Sequence, residues 1–187
     1  MTQTQWLDLR KGDCRILLRE HPANSFDAVV TDPPYGLGFM GKGWDKRDGN
    51  IAFDKDFWAE VWRVLKPGAH LLAFGGTRTY HRMVCAIEDA GFQIRDQIAW
   101  LYGSGFPKSK NVAMSINKEA GHRSTRFVTA GGDLPGPDLD VGAYTAPEGT
   151  PGHAWNGWGT NLKPAQEPIV LARKPLACST IAENVQC

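Results

Sequence analysis

The sequence predicts an α/β fold, and three features of its first hundred residues support this. Phe26–Val30 is a nearly continuous apolar run, typical of a strand that is covered on both faces. Lys55–Leu65 carries apolar residues at the i, i+3, i+4 and i+7 spacing of an amphipathic helix, with Asp54 as its N-cap and Pro67-Gly68 as its end. A second apolar strand, His70–Phe74, follows this helix.

The other predicted elements rest on caps, breakers and periodicity. Asp13 precedes a short apolar helix as its N-cap, and Thr77 and Gly91 bound a longer one. Alternating apolar residues predict a strand with one buried face, which includes Ile98 and Trp100. In chain order these elements are a strand at Trp6–Leu9, helices at Cys14–Glu20 and Thr77–Ala90, strands at Phe92–Tyr102 and Glu167–Arg173, and a helix at Ser179–Val185.

The composition predicts a single domain over residues 1–187 with one core, since 42% of residues are hydrophobic and 22% are charged. Within it we expect an α/β core at 1–120, an irregular insertion at 121–161, and a returning strand and helix start at 162–187. Scattered cysteines without zinc spacing, and the lack of a signal peptide or long apolar run, predict a cytoplasmic protein.

The segment Asp32-Pro33-Pro34-Tyr35 follows the first apolar strand directly. The two prolines lack backbone donors and have fixed φ, so the strand cannot continue through them. A carboxylate and an aromatic ring are therefore held on a stiff turn at the carboxyl end of a strand, which is where open α/β sheets bind ligands.

This tetrapeptide resembles the catalytic segment of DNA amino-methyltransferases, which methylate adenine N6 or cytosine N4. The resemblance extends over most of the chain, and it is to enzymes of the phage or restriction-modification type. It rests on further segments at Gly12–Cys14, Gly41–Asp45, Leu65–Gly68, Phe74–Thr77 and Lys163–Ile169. It implies a Rossmann-like methyltransferase sheet, S-adenosylmethionine as cofactor and double-stranded DNA as partner. It also implies that 1–120 is the catalytic core and that the insertion at 121–161 is a target-recognition segment.

The resemblance also implies roles for individual residues. Asp32, Pro33, Pro34 and Tyr35 are the implied catalytic residues, and Asp13, Cys14 and Asp32 the implied cofactor-binding residues. Asp32 and a prolyl carbonyl would hydrogen-bond the target amine, and Tyr35 would stack on a base flipped out of the duplex. An aspartate at this position favours adenine N6 over cytosine N4.

Residues expected to contact DNA lie in three loops. A glycine-rich loop carrying Lys42 and Trp44 is predicted to close over the flipped base. Arg78 follows a Gly-Gly turn on the side of the target base, and Lys108 and Lys110 lie in a basic loop suited to phosphate contact. A solvated surface is the alternative for the two lysines.

One segment expected from the resemblance is missing: no Asp-Pro-Phe-x-Gly-x-Gly cofactor loop occurs near the C-terminus. We therefore expect an incomplete sheet with an exposed edge. A truncated protein or domain is the first explanation; the alternatives are a homodimer or partner chain that completes the cofactor pocket, and weak binding through Asp13 and Asp32 alone. A catalytically silent nucleic-acid-binding remnant is the alternative to an active enzyme. A nucleotide-dependent oxidoreductase is disfavoured, because no GxGxxG follows a strand.

Overall fold

The computed structural model of the chain describes residues 7–38, 41–103, 109–122, 144–160, 162 and 165–186. Four strands and five helices lie within these ranges. The strands are β1 (Phe26–Thr31), β2 (Leu65–Phe74), β3 (Gln93–Leu101) and β4 (Gln166–Arg173). The helices are α1 (Cys14–Leu17), α2 (Lys55–Val64), α3 (Tyr80–Asp89), α4 (Val112–Glu119) and α5 (Ile181–Asn184).

The four strands form one mixed sheet in the order β1-β2-β4-β3. β1 and β2 are parallel and are connected through α2, whereas β2 and β4 are antiparallel. A parallel pair joined by a helical crossover is the defining unit of an α/β protein, so the predicted fold class is confirmed. The central position of β2 explains why its Leu71 and Ala73 are fully buried.

The first strand is not covered on both faces, and that prediction is wrong. β1 is the edge strand of the sheet, and among the described residues only β2 pairs with it. Val30 is consequently 69% exposed, while Val29 packs against the core. The apolar run identified a strand correctly, but its place in the sheet depends on which strands pair with it.

The described residues divide into two compact units. One comprises Met1–Trp100 and Glu167–Cys187, and the other comprises Leu101–Gln166. The core of the first lies between the sheet and the helices α2 and α3, with Trp58, Met83 and Ile87 almost fully buried. The second has a smaller core, in which Ala113 of α4 packs with Tyr144 and Ala146. The single domain over 1–187 stays a prediction.

The N-caps predicted for α1 and α2 are confirmed, whereas the one predicted at Thr77 is wrong. The carboxylates of Asp13 and Asp54 accept the backbone N–H of the residue two positions later, at 3.0 and 2.9 Å. Asn111 caps α4 in the same way, accepting the Met114 N–H at 2.9 Å. These caps satisfy backbone donors that have no partner inside the helix, as the sequence predicted.

Several predicted boundaries and faces are wrong. Leu7 and Leu9 lie outside any strand and are 58% and 90% exposed. α2 passes straight into β2, and Pro67-Gly68 lies in an irregular part of that strand, where the β1–β2 register shifts. Ile98 and Trp100 are 42% and 58% exposed, because β3 lies at the other edge of the sheet.

No helix among the described residues is long and apolar enough to cross a membrane.

Candidate active site

Two turns meet at the carboxyl end of the parallel pair. Thr31, the last residue of β1, pairs with Ala73 of β2, so the segments that follow both strands start side by side. Asp32–Tyr35 follows β1, and the Gly75-Gly76 turn follows β2. Pro33 is buried while the Asp32 side chain is exposed. The buried Pro33 thus holds the turn in place, while the carboxylate of Asp32 faces solvent.

The Gly75-Gly76 turn packs against the side chain of Tyr35. A Cβ placed on Gly76 would lie 3.2 Å from both Cβ and Cδ2 of Tyr35, so a larger residue there would press on the tyrosine. The hydroxyl of Thr79 donates to the Tyr35 carbonyl at 2.6 Å. Thr79 makes no side-chain capping bond, and α3 starts at Tyr80 instead of at the predicted Thr77.

A small apolar pocket lies beside the tyrosine. Its lining includes the side chains of Pro34, Phe53, Tyr80 and Met83. One edge is therefore formed by the turn after β1, and the other edges by α3 and by the 3₁₀ turn Ile51–Phe53. The space that these side chains enclose is too small for a water molecule, so they form a closely packed apolar surface beside the exposed Asp32 carboxylate.

The Tyr35 hydroxyl is placed between two carboxylates. It donates to Glu167 Oε2 at 3.2 Å. Burial raises the pKa of Tyr35, and hydrogen bonding to Asp32 and the charges of Asp32 and Glu167 raise that pKa further. Tyr35 therefore stays a neutral hydrogen-bond donor at physiological pH.

Glu167 had no predicted role, although it lies in the Lys163–Ile169 segment that carries part of the resemblance. A carboxylate directly before Pro168 at the start of β4 was the only sequence signal for it. The contact with Tyr35 spans 132 positions, so no local pattern could reveal it.

The glycine-rich loop begins directly after Tyr35, and Asp45 holds its start through hydrogen bonds to backbone N–H groups. The buried Asp45 carboxylate accepts the Gly36 N–H at 2.7 Å, and the Asp45 carbonyl accepts the Gly38 N–H at 2.8 Å. Lys42 is exposed and Trp44 is 61% exposed. The loop thus holds both predicted DNA-contacting residues at the surface, while sequence reasoning missed the anchoring role of Asp45.

Asp13 and Cys14, predicted to bind the cofactor, lie at the start of α1. Arg15 holds the Asp13 carboxylate through a 2.6 Å ion pair, and the backbone N–H of Arg15 donates to it as well. Hydrogen bonding to Arg15 lowers the pKa of Asp13 to about 2, so the group is a carboxylate at neutral pH. Cys14 is exposed, and partial desolvation with the charge of Asp13 raises its pKa.

The remaining predicted DNA contacts are distributed over both units. Arg78 is exposed and lies two residues after Gly76, close in sequence to the turn that supports Tyr35. Lys110 is exposed in the second unit, where its backbone pairs with Thr160. Lys108 lies outside the described residues. In the part of the chain that the structure describes, no cluster of His, Cys, Asp and Glu could hold a metal ion.

Comparison with known proteins gives one family match and several relatives. The family model described as DNA methylase matches residues 26–180. The type II methyltransferase M.HindIII of Haemophilus influenzae is 26% identical over 213 residues, a match covering 93% of this chain and 60% of that protein. M.HpaI of Haemophilus parainfluenzae, also a type II methyltransferase, is 32% identical over 100 residues, covering 50% of this chain and 31% of that one.

A likeness to solved structures is also found. The TTHA0409 protein of Thermus thermophilus, described as a DNA modification methylase and complexed with S-adenosyl-L-methionine, shares 20% sequence identity with a TM-score of 0.48. That match covers 94% of this chain and 57% of the solved one. The chain thus spans 60% or less of the length of these two relatives and of this solved structure.

Proposed function

The chain belongs to the DNA methylase family, and we propose that it transfers a methyl group from S-adenosylmethionine to the exocyclic amine of a base in double-stranded DNA. The observation that carries this proposal is the exposed carboxylate of Asp32 beside the anchored ring of Tyr35. Both stand at the carboxyl end of a parallel strand pair, next to closely packed apolar side chains.

The proposed role of the turn is to prepare the amine for attack. The lone pair of an exocyclic amine is delocalised into the base ring, which makes the nitrogen a poor nucleophile. The Asp32 carboxylate and the Pro33 carbonyl accept hydrogen bonds from the two N–H groups of the amine. These bonds favour a tetrahedral nitrogen with a directed lone pair. The methyl group would come from the sulfonium of bound S-adenosylmethionine, which would leave as the neutral thioether, and the proton released by the methylated nitrogen would pass to the Asp32 carboxylate.

Tyr35 supplies a face for the flipped base. Extrusion of a base from the duplex costs a few kcal/mol, and stacking on an aromatic side chain returns roughly 1–3 kcal/mol. Pro34 lines the pocket beside this ring. Because Gly76 and Thr79 already hold Tyr35 in place, little ordering of the ring is needed when the base arrives.

Asp13, Cys14 and Asp32 suit the cofactor in their chemistry. The low pKa of Asp13 keeps it an acceptor for hydroxyl or amine donors, although Arg15 already occupies part of its capacity. S-adenosylmethionine supplies an activated methyl group on a positively charged sulfur, which the Asp32 carboxylate can attract. Cys14 is exposed at the same helix start and can contribute packing.

Exposed cations and an exposed indole support the proposed DNA contacts. Lys42, Arg78 and Lys110 can neutralise phosphates, and Trp44 can stack on a base. Lys108 belongs to the same proposed contact set through its position in the basic loop. Phosphate contacts orient the protein without specifying sequence, so these lysines would affect binding to all DNA alike.

Two finer points complete the proposal. Adenine N6 is the proposed target because Asp32 stands where cytosine-N4 enzymes more often carry serine. A second copy or a partner chain is proposed to complete the cofactor pocket, and the unpaired edge of β1 supports this. The silent-remnant alternative is not favoured, since the two Haemophilus relatives are methyltransferases.

The test is transfer of a tritiated methyl group to unmethylated DNA, followed by nucleoside chromatography that separates N6-methyladenine from N4-methylcytosine. Asp32→Asn should abolish transfer without changing the melting temperature, because Asp32 is exposed. Asp27→Asn is the matched control, since Asp27 is an exposed aspartate on β1, the strand that precedes Asp32. The proposal fails if the parent chain transfers nothing with or without added partner chain, or if Asp32→Asn retains full activity.

A further inference from the structure

The Tyr35 hydroxyl can donate one hydrogen bond, and two carboxylates compete to accept it. Glu167 Oε2 accepts its hydrogen bond at 3.2 Å. Hydrogen bonding to Asp32 also raises the pKa of this hydroxyl, and it does so by more than hydrogen bonding to Glu167. A hydroxyl donates a single hydrogen bond, so the two acidic residues compete for it. The carboxylate that accepts this hydrogen bond loses part of its capacity to accept one from another donor.

We propose that Glu167 is a positioning residue that accepts the Tyr35 hydroxyl and thereby leaves the Asp32 carboxylate free to accept the target amine. This rests on the proposed function for the role of Asp32, but the hydrogen-bond competition itself does not require methyl transfer. Glu167 thus acts on the reaction through Tyr35 and Asp32 without touching the substrate.

The backbone around Glu167 is held firmly enough for this role. Its neighbour Pro168 is buried, and the Pro168 carbonyl accepts the Gly75 N–H at 2.9 Å. That bond ties the start of β4 to the same Gly75-Gly76 turn on which Tyr35 rests. The donor and its acceptor are therefore both fixed against one turn, which favours a persistent hydrogen bond between them.

The two carboxylates differ in burial, as their different proposed roles require. Glu167 is half-buried, whereas Asp32 is exposed. A half-buried carboxylate without a donor would bear a desolvation cost, which the Tyr35 hydroxyl relieves. Asp32 remains solvated and can exchange water for an incoming amine. Loss of Glu167 should therefore transfer the Tyr35 hydrogen bond to Asp32.

A substrate-free experiment tests the competition directly. Replacing the four tyrosines with 3-fluorotyrosine gives ¹⁹F signals, of which the Tyr35 signal is identified by its loss in Tyr35→Phe. We expect Glu167→Ala to shift the Tyr35 signal, and Asp32→Asn to shift it further in the Glu167→Ala background than in the parent. Glu88→Ala, an exposed glutamate on α3, is the control and should shift nothing.

Two results would overturn the proposal. One is a Tyr35 signal that does not respond to Glu167→Ala, which would mean that the two side chains do not interact in solution. The other is an equal response to Asp32→Asn in both backgrounds, which would mean that Glu167 does not divert the hydroxyl. Both results are readable even if the chain transfers no methyl group, so they are separate from failure of the proposed function.

Methyl transfer provides the second readout. Glu167→Ala should lower kcat roughly tenfold, the size of one lost hydrogen bond to a charged group, with little change in KM for the cofactor. Adding Tyr35→Phe to Glu167→Ala should raise kcat again, because the competing hydroxyl is gone. A further decrease in the double variant would refute the competition, since a merely structural glutamate would not be rescued in this way.

Discussion

Gly36 joins the Asp32–Tyr35 turn to the glycine-rich loop, and its surroundings require a residue without a side chain. Its φ of +67° lies in the left-handed region, and a Cβ there would lie 2.6 Å from Cε2 of Phe53. Its N–H also donates to the buried carboxylate of Asp45. A single glycine thus sets the exit direction of the Asp32–Tyr35 turn, because only a glycine can combine this φ with so close an approach.

Gly36→Ala should destabilise the protein more than Gly38→Ala. Both glycines have a similar positive φ, but nothing lies within 4 Å of a Cβ built on Gly38. We expect about 1 kcal/mol from the backbone at either site, and about 1–3 kcal/mol more at Gly36 from displacing the Phe53 ring. Urea unfolding measures both variants. Equal losses would show that the ring moves aside at no cost.

The same region shows what the sequence could and could not predict about single residues. The Asp32–Tyr35 turn was predictable because two adjacent prolines after an apolar strand fix the backbone locally. The contact of Tyr35 with Glu167 was not, since it depends on β4 lying next to β2 in the sheet. Asp45 was missed for a related reason, since its carboxylate faces backward to Gly36 and matches no capping or metal-binding pattern.

Helices and strands differ in how well the sequence defined them. The start of α2 and its buried face, with Phe57, Trp58 and Val61, followed from an N-cap and a 3.6-residue period. The exposure of β1 and β3 did not follow from their patterns, because both are edge strands. Burial of a strand is decided by its neighbours, and those are set by contacts that are distant in sequence.

The segment before α3 gives a prediction at this scale. Thr79→Val removes the hydroxyl that donates to the Tyr35 carbonyl at 2.6 Å, with almost no change in shape. We expect a loss of about 1–2 kcal/mol in the free energy of unfolding and a less firmly held Asp32–Tyr35 turn. Thr77→Val, an exposed threonine in the same turn, should change stability by less than about 0.5 kcal/mol. Similar values for the two variants would argue against the Thr79–Tyr35 link.

At the scale of the first unit, Lys174 connects parts of the chain that are far apart in sequence. It is only 4% exposed, and its ammonium donates to Asn24 Oδ1 at 2.8 Å and to the Leu65 carbonyl at 2.7 Å. The same ammonium lies 3.9 Å from the centroid of the Trp62 ring. Burial lowers the pKa of Lys174, so desolvation offsets part of what these contacts contribute.

Lys174→Met should therefore cost the protein about 1–3 kcal/mol in the free energy of unfolding, because two oxygens lose their donor and the cation–π contact disappears. Methionine is unbranched and flexible enough to fill much of the lysine's space, so the loss reports on the ammonium. Lys66→Met is the matched control. Its ammonium is 2.6 Å from Asp27, but both side chains are exposed, and such surface pairs contribute about 0–1 kcal/mol.

Urea unfolding at neutral pH, monitored by tryptophan fluorescence, compares the two lysine variants with the parent. A larger loss for Lys174→Met than for Lys66→Met would show that the buried ammonium is a net source of stability for the sheet that carries Asp32. A neutral or stabilising Lys174→Met would contradict this, because it would mean that the cost of desolvating the ammonium exceeds what its contacts contribute.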